Sequence, residues 1–332
     1  MSKQNRIGVL TSGGDAPGMN AAIRAVVRTC VRNGIQALGI RRGWNGLING
    51  DVVELKPGDV SGKIIAGGTM LYTARCEEFR HSAGIDKARD TCKYLGLDGI
   101  VAIGGDGTFR GALDLSAKHG VSACCIPATI DNDIGCTNYS IGFDTAVNTA
   151  VEAVDKLRDT MRSHQRCSIV EVMGRHAGHL AAYVGIAVGA NAILVPEREY
   201  DFQRDIAEKI RQALIHKDHH FIIIMAEGVG RVQEISDQIL EETGLDPRVT
   251  ILGHIQRGGS PTARDRVTGS RMGKYAVDIL CQGKFNRVIG IQGGNLQDFD
   301  IQEALAMKKD LQESMYDAAM TLSKGHMITA GG

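Results

Sequence analysis

Short β-branched runs alternate with stretches of helical length along this chain, and that alternation constrains its fold more than any other feature. The runs include Ile7–Thr11, Ile100–Ile103, Ala123–Ile126, Cys167–Val172, Ala192–Val195, Phe221–Met225 and Val288–Ile291. Between them lie helical patterns such as Asn20–Asn33, closed by Gly34, and Asp205–Ile215. Apolar runs this short, leading through glycine into a helix, predict an α/β fold of parallel strands joined by crossover helices. Glycine is abundant, 42 residues against 7 phenylalanines and one tryptophan. It gathers at the predicted strand ends, where a backbone turns sharply or comes close to a ligand. A chain of 332 residues predicts two domains. The polar, glycine-bearing stretch Gly135–Gly142, followed by a long helical pattern at Thr145–Met161, predicts a crossover into the second.

Composition narrows the partners. Lysine plus arginine and aspartate plus glutamate number 38 each, so no net charge draws the chain to nucleic acid or an anionic membrane, and anion binding must come from local clusters. Apolar residues make up 43% of the chain, ample for a core. Met1 to Arg6 is polar and runs straight into a strand pattern, which predicts no secretory signal. No apolar run approaches the roughly 18 residues that span a bilayer. The eight cysteines include no C-x-x-C pair and several lie in apolar runs; they are expected to be small buried thiols in a reducing cytoplasm rather than metal ligands or disulfides.

In an open parallel sheet, ligands bind beyond the carboxyl ends of the strands, so the loops leaving those ends carry the chemistry. The first is Thr11-Ser12-Gly13-Gly14-Asp15-Ala16-Pro17-Gly18-Met19-Asn20. Gly13 and Gly18 have P-loop spacing, but Met19-Asn20 replaces the Lys-Ser/Thr pair that grips phosphate and magnesium. It reads equally as an anion site at a helix N-terminus or as a tight strand-to-helix turn. Next comes Gly104-Gly105-Asp106-Gly107-Thr108, where small residues admit phosphate oxygens and a carboxylate can hold Mg²⁺. Its glycines fit G-x-G-x-x-x-G rather than the dinucleotide fingerprint. A third loop ends in Thr129-Ile130-Asp131-Asn132-Asp133, whose two carboxylates suit a general base and a metal or positioning group, or simply an Asx-rich turn. Positive charge comes from Gly67–Arg75, from Met173-Gly174-Arg175-His176-Ala177-Gly178, and from the donor-rich His254–Pro261 stretch. Arginine suits bidentate phosphate contacts and charge developing on a transferring phosphoryl group.

In this order, these segments resemble the bacterial 6-phosphofructokinase family over nearly the whole chain. Ser12–Arg24, Gly104–Thr108, Thr129–Asp133, Ser163–Arg166 with Val170–Arg175, and Gly253–Pro261 carry the likeness. The resemblance implies two Rossmann-like, three-layer α/β domains with mostly parallel sheets and an active site in the cleft between them. The expected boundaries are 1–142 plus about 255–305 for a nucleotide-binding domain, and 143–254 plus about 306–332 for a sugar-phosphate domain. It implies a glycolytic, cytoplasmic kinase that moves the γ-phosphoryl of MgATP to the 1-hydroxyl of fructose 6-phosphate, assembled as a homotetramer under allosteric control. Asp131 is then the base, with Thr129 and Asp133 beside it, and Arg75 and Arg175 stabilise the transferring phosphoryl. Gly14, Arg75, Cys76, Gly104, Gly105, Asp106, Gly107 and Thr108 bind the nucleotide, with Asp106 on Mg²⁺. Thr129, Asp131, Met173, Gly174, Arg175, Glu227, His254 and Arg257 contact the sugar, while Arg166 and Arg248 reach the 6-phosphate from a neighbouring subunit.

Relatives that use pyrophosphate tend to carry Asp in place of Gly107 and Lys in place of Ala128. An aspartate there crowds and repels the α-phosphate, so ATP is the expected donor and pyrophosphate the alternative. Ala128 also departs from the glycine usual in ATP users. Arg24, Arg28 and Arg32 share one predicted helix face, either a solvated basic stripe or, for Arg24 and Arg28 together with Arg158, the effector-site arginines of the family. Pro57, Asn191, His216 and Asp218 depart from that effector pattern, which predicts weakened or rewired control. Lipid and NAD kinases share G-G-D-G-T but lack the T-I-D-N-D and H-I-Q-R-G-G-S blocks. A catalytically dead nucleotide sensor would have no need of Asp131.

Overall fold

The computed structural model describes residues 5–164, 167–215 and 221–323. The chain begins β1 (Arg6–Thr11), α1 (Met19–Arg32), β2 (Gln36–Ile40), α2 (Gly43–Asn49), β3 (Val52–Leu55), α3 (Ser82–Leu95), β4 (Gly99–Gly104), α4 (Asp106–His119), β5 (Ala123–Pro127) and α5 (Phe143–His164). It continues with β6 (Cys167–Val172), α6 (His179–Ala187), β7 (Ala192–Leu194), α7 (Glu208–Ile215), β8 (Phe221–Ala226), α8 (Val232–Thr243) and β9 (Arg248–Ile251). It closes with α9 (Ala263–Cys281), β10 (Arg287–Gln292), β11 (Asn295–Asp300), α10 (Ile301–Ala306) and α11 (Glu313–Ser323). Two compact units result, Met1–Thr145 with Arg257–Lys309, and Ala146–Gln256 with Asp310–Gly332.

The first unit holds a seven-stranded sheet in the order β11-β10-β5-β4-β1-β2-β3, antiparallel only at its two outer pairs, β10–β11 and β2–β3. All six residues of β4 are buried, as expected for a strand covered on both faces. From β1 the chain passes to β2 on one side and later returns to β4 on the other. The loops leaving β1 and β4 therefore diverge at a switch point, the usual place for a ligand crevice in such sheets. The core gathers Leu10, Ile40, Leu47, Ile85, Ile100, Phe109 and Leu115, with Trp44 stacked on Phe79 at 4.7 Å between ring centroids. Helix α9 lies close on α1 because Gly269 and Gly273 have no side chain; a Cβ on Gly273 would sit 2.5 Å from the Ala22 carbonyl oxygen.

The second unit holds a parallel four-stranded sheet, β7-β8-β6-β9. Its core packs Ile169, Leu194, Phe221, Ile223 and Met225 of the sheet against Ile206, Ile210, Ile235 and Ile239 of the helices.

All seven sequence-predicted strands are present, with ends shifted by a residue or so. Strands β2, β3, β9 and β11 carry weaker signals. Gly39 interrupts β2 because its missing side chain makes room for Leu55 and Leu71, each of which a Cβ would meet at 2.8 Å. β11, Asn-Leu-Gln-Asp-Phe-Asp, is an edge strand without an apolar run, paired through a Gly293-Gly294 turn in which both φ angles are positive. The helix expected at Asp205–Ile215 opens with a π turn, Gln203–Ala207, before α7. Six cysteines are buried, but Cys76 is half-buried and Cys281 exposed, so the expectation of uniformly buried thiols fails at those two. Burial pushes the Cys30 and Cys92 thiols up to about 12.

Candidate functional site

In the first unit, three strand exits are stitched together by hydrogen bonds. Ser12 N donates to the Ile103 carbonyl at 3.0 Å, and Ala128 N to the Gly104 carbonyl at 2.9 Å. Thr108 Oγ1 donates to the Ser12 carbonyl at 2.9 Å. This side chain–backbone bond explains Gly104, where a Cβ would lie 2.3 Å from Thr108 Oγ1 and 2.4 Å from the Ser12 oxygen. Gly107 is different: a Cβ there meets nothing within 4 Å and its φ is ordinary, so neither packing nor backbone conformation requires glycine. Asp106 is exposed in the first turn of α4, where the helix dipole favours anions and a carboxylate can hold a cation outward.

The segment bearing Arg75 is fastened over the first loop. Thr73 Oγ1 donates to the Gly13 carbonyl at 2.7 Å, and Thr11 Oγ1 to the Tyr72 carbonyl at 2.9 Å. Tyr72 adopts φ 57°, and although its carbonyl is anchored the residue is 60% exposed. Asn20, which stands where a P-loop has its hydroxyl, is buried and acts as a latch. It donates to the Ala66 and Gly67 carbonyls at 3.1 and 3.2 Å and accepts from Met70 N at 2.7 Å. Arg75 itself is exposed and Cys76 half-buried.

The Thr129–Asp133 loop is ordered from within. Thr129 Oγ1 accepts from Asp131 N at 3.2 Å, and the Thr129 carbonyl accepts from Ser140 Oγ at 2.8 Å. Asn132 takes the left-handed conformation, φ 53°, a region asparagine tolerates better than most residues. This separates the two aspartates, leaving Asp131 buried at 9% exposure and Asp133 half-buried. Arg257 joins this unit: its guanidinium stands 2.3 Å from where a Gly14 Cβ would be, and it reaches the Asp15 carbonyl at 3.4 Å. Gly14, Gly104, Thr108, Thr129 and Arg257, far apart in sequence, thus lie on connected loops of one unit.

In the second unit Met173, Gly174 and Arg175 follow the carboxyl end of β6, Glu227 that of β8 and His254 that of β9. Met173 N donates to Gln256 Oε1 at 3.3 Å. Arg175 holds φ 59°, a strained conformation for arginine, with its N–H donating to Glu227 Oε1 at 2.7 Å. The Arg175 and His254 side chains are exposed. Burial, and then the Glu227 carboxylate, raise the pKa of nearby Glu171. Arg248 is exposed on edge strand β9 and paired with Asp246 at 3.0 Å. Arg166, His216 and Asp218 lie outside the described residues.

Of the arginines that the sequence likens to an effector site, Arg24 and Arg28 lie on α1, which also carries Arg32. Arg158, on α5, donates to the Val188 carbonyl. Asn191 Oδ1 accepts from Ile222 N at 2.8 Å, so this side chain caps the start of β8. Sequence reasoning missed Asn20, Ser140 and Gln256 as organising residues. Asn20 and Gln256 act on backbone groups 46 and 83 positions away and Ser140 on one 11 away, beyond the reach of any local motif.

The chain matches the phosphofructokinase family over residues 6–280. It is 52% identical over 318 residues to ATP-dependent 6-phosphofructokinases of Clostridium botulinum and Clostridium acetobutylicum, covering 96% of this chain and 99% of each relative. Among solved structures, Saccharomyces cerevisiae phosphofructokinase aligns with a TM-score of 0.86 at 32% identity over 96% of this chain. This chain spans about half the yeast chain's length, 48% of it. A pyrophosphate-dependent phosphofructokinase from Marinobacter aquaeolei, 18% identical, shares the fold with a TM-score of 0.84 over 97% of this chain and 92% of its own.

Proposed function

The chain belongs to the phosphofructokinase family, and from that premise we propose that it is an ATP-dependent 6-phosphofructokinase. It moves the γ-phosphoryl of ATP to the 1-hydroxyl of fructose 6-phosphate and releases fructose 1,6-bisphosphate and ADP. The observation that carries the choice of donor is the open space at Gly107 within the stitched glycine loops. Nothing in the fold requires glycine there, and the vacant volume admits the α-phosphate that pyrophosphate lacks.

The first unit handles nucleotide through Gly14, Arg75, Cys76, Gly104, Gly105, Asp106, Gly107 and Thr108, and the second recognises sugar phosphate through Met173, Gly174, Arg175, Glu227 and His254. Asp131 takes the proton of the sugar 1-hydroxyl as its oxygen attacks the γ-phosphorus and the bond to the bridging oxygen of ADP breaks. Thr129, which accepts the Asp131 backbone N–H, holds the base in line, and Arg75 and Arg175 stabilise the transferring charge. Among the described residues no group of three or more His, Cys, Asp or Glu could hold a metal alone. A single exposed carboxylate fits Mg²⁺, which is commonly bound by one or two carboxylates plus substrate phosphates. Asp106 would hold it, and the ion would neutralise phosphate charge.

The working assembly is a cytoplasmic homotetramer in which Arg166 and Arg248 reach the 6-phosphate in a neighbouring subunit. Among the described residues, no helix is long and apolar enough to cross a membrane. The capping role of Asn191, where relatives have a metal-binding glutamate, supports weakened effector control through Arg24, Arg28 and Arg158. The deciding experiment is steady-state turnover of fructose 6-phosphate with Mg²⁺ and either ATP or pyrophosphate. Turnover with ATP alone is expected; turnover mainly with pyrophosphate overturns the reading of Gly107, and turnover with neither overturns the enzyme.

A further inference from the structure

The end of the first unit runs back across the loop that carries Asp131. Helix α10 stops at Ala306, and Met307 then presses on Gly135 so closely that a Cβ there would lie 2.3 Å from the Met307 carbonyl oxygen. Two residues on, the Lys309 ammonium donates to Asn132 Oδ1 at 2.9 Å and to the Asn138 carbonyl at 3.2 Å. Asn132 is the left-handed residue between the two aspartates, 3% exposed. The same Oδ1 accepts from Ser140 N at 3.0 Å, while Ser140 Oγ gives its one hydrogen to the Thr129 carbonyl, so of the two donors that converge on this amide oxygen Lys309 is the charged one. Burial lowers the Lys309 pKa to about 8, against the opposing pull of the Asp133 carboxylate and the Cys136 thiol. A half-buried cation thus stands behind the loop, bonded to the left-handed residue between Asp131 and Asp133.

We propose that Lys309 is a positioning residue for phosphoryl transfer, its ammonium holding Asn132 so that the Thr129–Asp133 loop presents Asp131 in line with the sugar hydroxyl. Lys309 touches neither substrate in this proposal; it acts on turnover through loop geometry. Charge-assisted hydrogen bonds are about twice as strong as neutral ones, which suits a lysine to holding a strained loop. The inference rests on Asp131 being the base.

The test is steady-state kinetics on the full-length enzyme carrying Lys309→Met, Lys309→Arg, Asp131→Asn, and Lys309→Met combined with Asp131→Asn. Displacing a catalytic group by about 1 Å can cost about 100-fold, so Lys309→Met is expected to lower kcat about 10- to 100-fold. KM for both substrates should stay within about threefold, the mark of an interaction realised in the transition state. Lys309→Arg keeps a charged donor and should restore most of the loss. In the Asp131→Asn background, Lys309→Met should cost little more, because residues acting through one group are not additive. Parental kcat in Lys309→Met, loss confined to KM, failure of arginine to rescue, or a full additional loss in the double variant each overturns the positioning role. If Lys309→Met does not fold, the Lys309→Arg kinetics decide: near-parental kcat and KM support the role, and a reduced kcat overturns it. Near-normal turnover in Asp131→Asn alone overturns the base assignment instead, which separates the two failures.

Discussion

Replacing Asp265 with alanine should destabilise the protein more than an ordinary core substitution. The Asp265 carboxylate is completely buried in α9 and accepts four hydrogen bonds from the segment entering α5. Tyr139 Oη donates to it at 2.6 Å, Gly142 N at 2.8 Å, Thr145 N at 2.9 Å and Thr145 Oγ1 at 2.5 Å. Alanine leaves these donors facing one another in a dry site, and each buried unsatisfied donor costs about 1–3 kcal/mol. The two hydroxyls can rotate to other acceptors but the two backbone N–H groups cannot, so the net loss is about 2–6 kcal/mol. That is a large part of the roughly 5–15 kcal/mol by which folded proteins are stable. A domain of 150–250 residues loses about 2–4 °C of Tm per kcal/mol, so thermal unfolding followed by circular dichroism should shift down by roughly 4–24 °C. Asp265→Asn, which keeps one acceptor oxygen but turns an NH₂ toward two donors, should fall between the parent and alanine. A Tm within about 2 °C of the parent for Asp265→Ala would refute the claim that this carboxylate pins the segment.

Other substitutions test the chemistry. Asp131→Asn should lower kcat by about two to four orders of magnitude with KM nearly unchanged, since general-base catalysis is worth that much; near-parental kcat contradicts it. Gly107→Asp should fold with a parental Tm, but a carboxylate about 4 Å from a phosphate is repelled by up to about 4 kcal/mol, so KM for ATP should rise about 10- to 1000-fold. Gly104→Ala should instead lower Tm, by the roughly 1–3 kcal/mol of an overpacked core, because its Cβ collides with Thr108 and Ser12. Rates against fructose 6-phosphate concentration should show weak inhibition by phosphoenolpyruvate; strong sigmoidal inhibition would contradict the reading of Asn191.

Much of the fold was legible because the buried strands announce themselves locally. Phe221–Ala226 has every side chain buried, and an uninterrupted apolar run is what a strand covered on both faces requires. Where one face or edge meets solvent, as in β9 and β11, that signal disappears and only pairing with a neighbour defines the strand. The chemistry of the site was legible for a related reason. Glycine, aspartate and arginine cluster at the strand exits within a few consecutive residues, the pattern expected of phosphate-handling loops.

Local sequence therefore fixes the α/β class, the loops at the strand exits and the residue types within them. The tertiary structure alone decided what holds those loops in place. Lys309 meets Asn132 across 177 positions, and Asp265 meets Thr145 across 120. It also separated the two kinds of glycine, Gly104 made necessary by Thr108 and Gly107 unconstrained by anything in the fold. The physical reason is that periodicity and turn chemistry report a residue's own backbone and burial. The partner of a buried hydrogen bond is chosen only when distant segments come together, and one chain read alone carries no local mark of that choice.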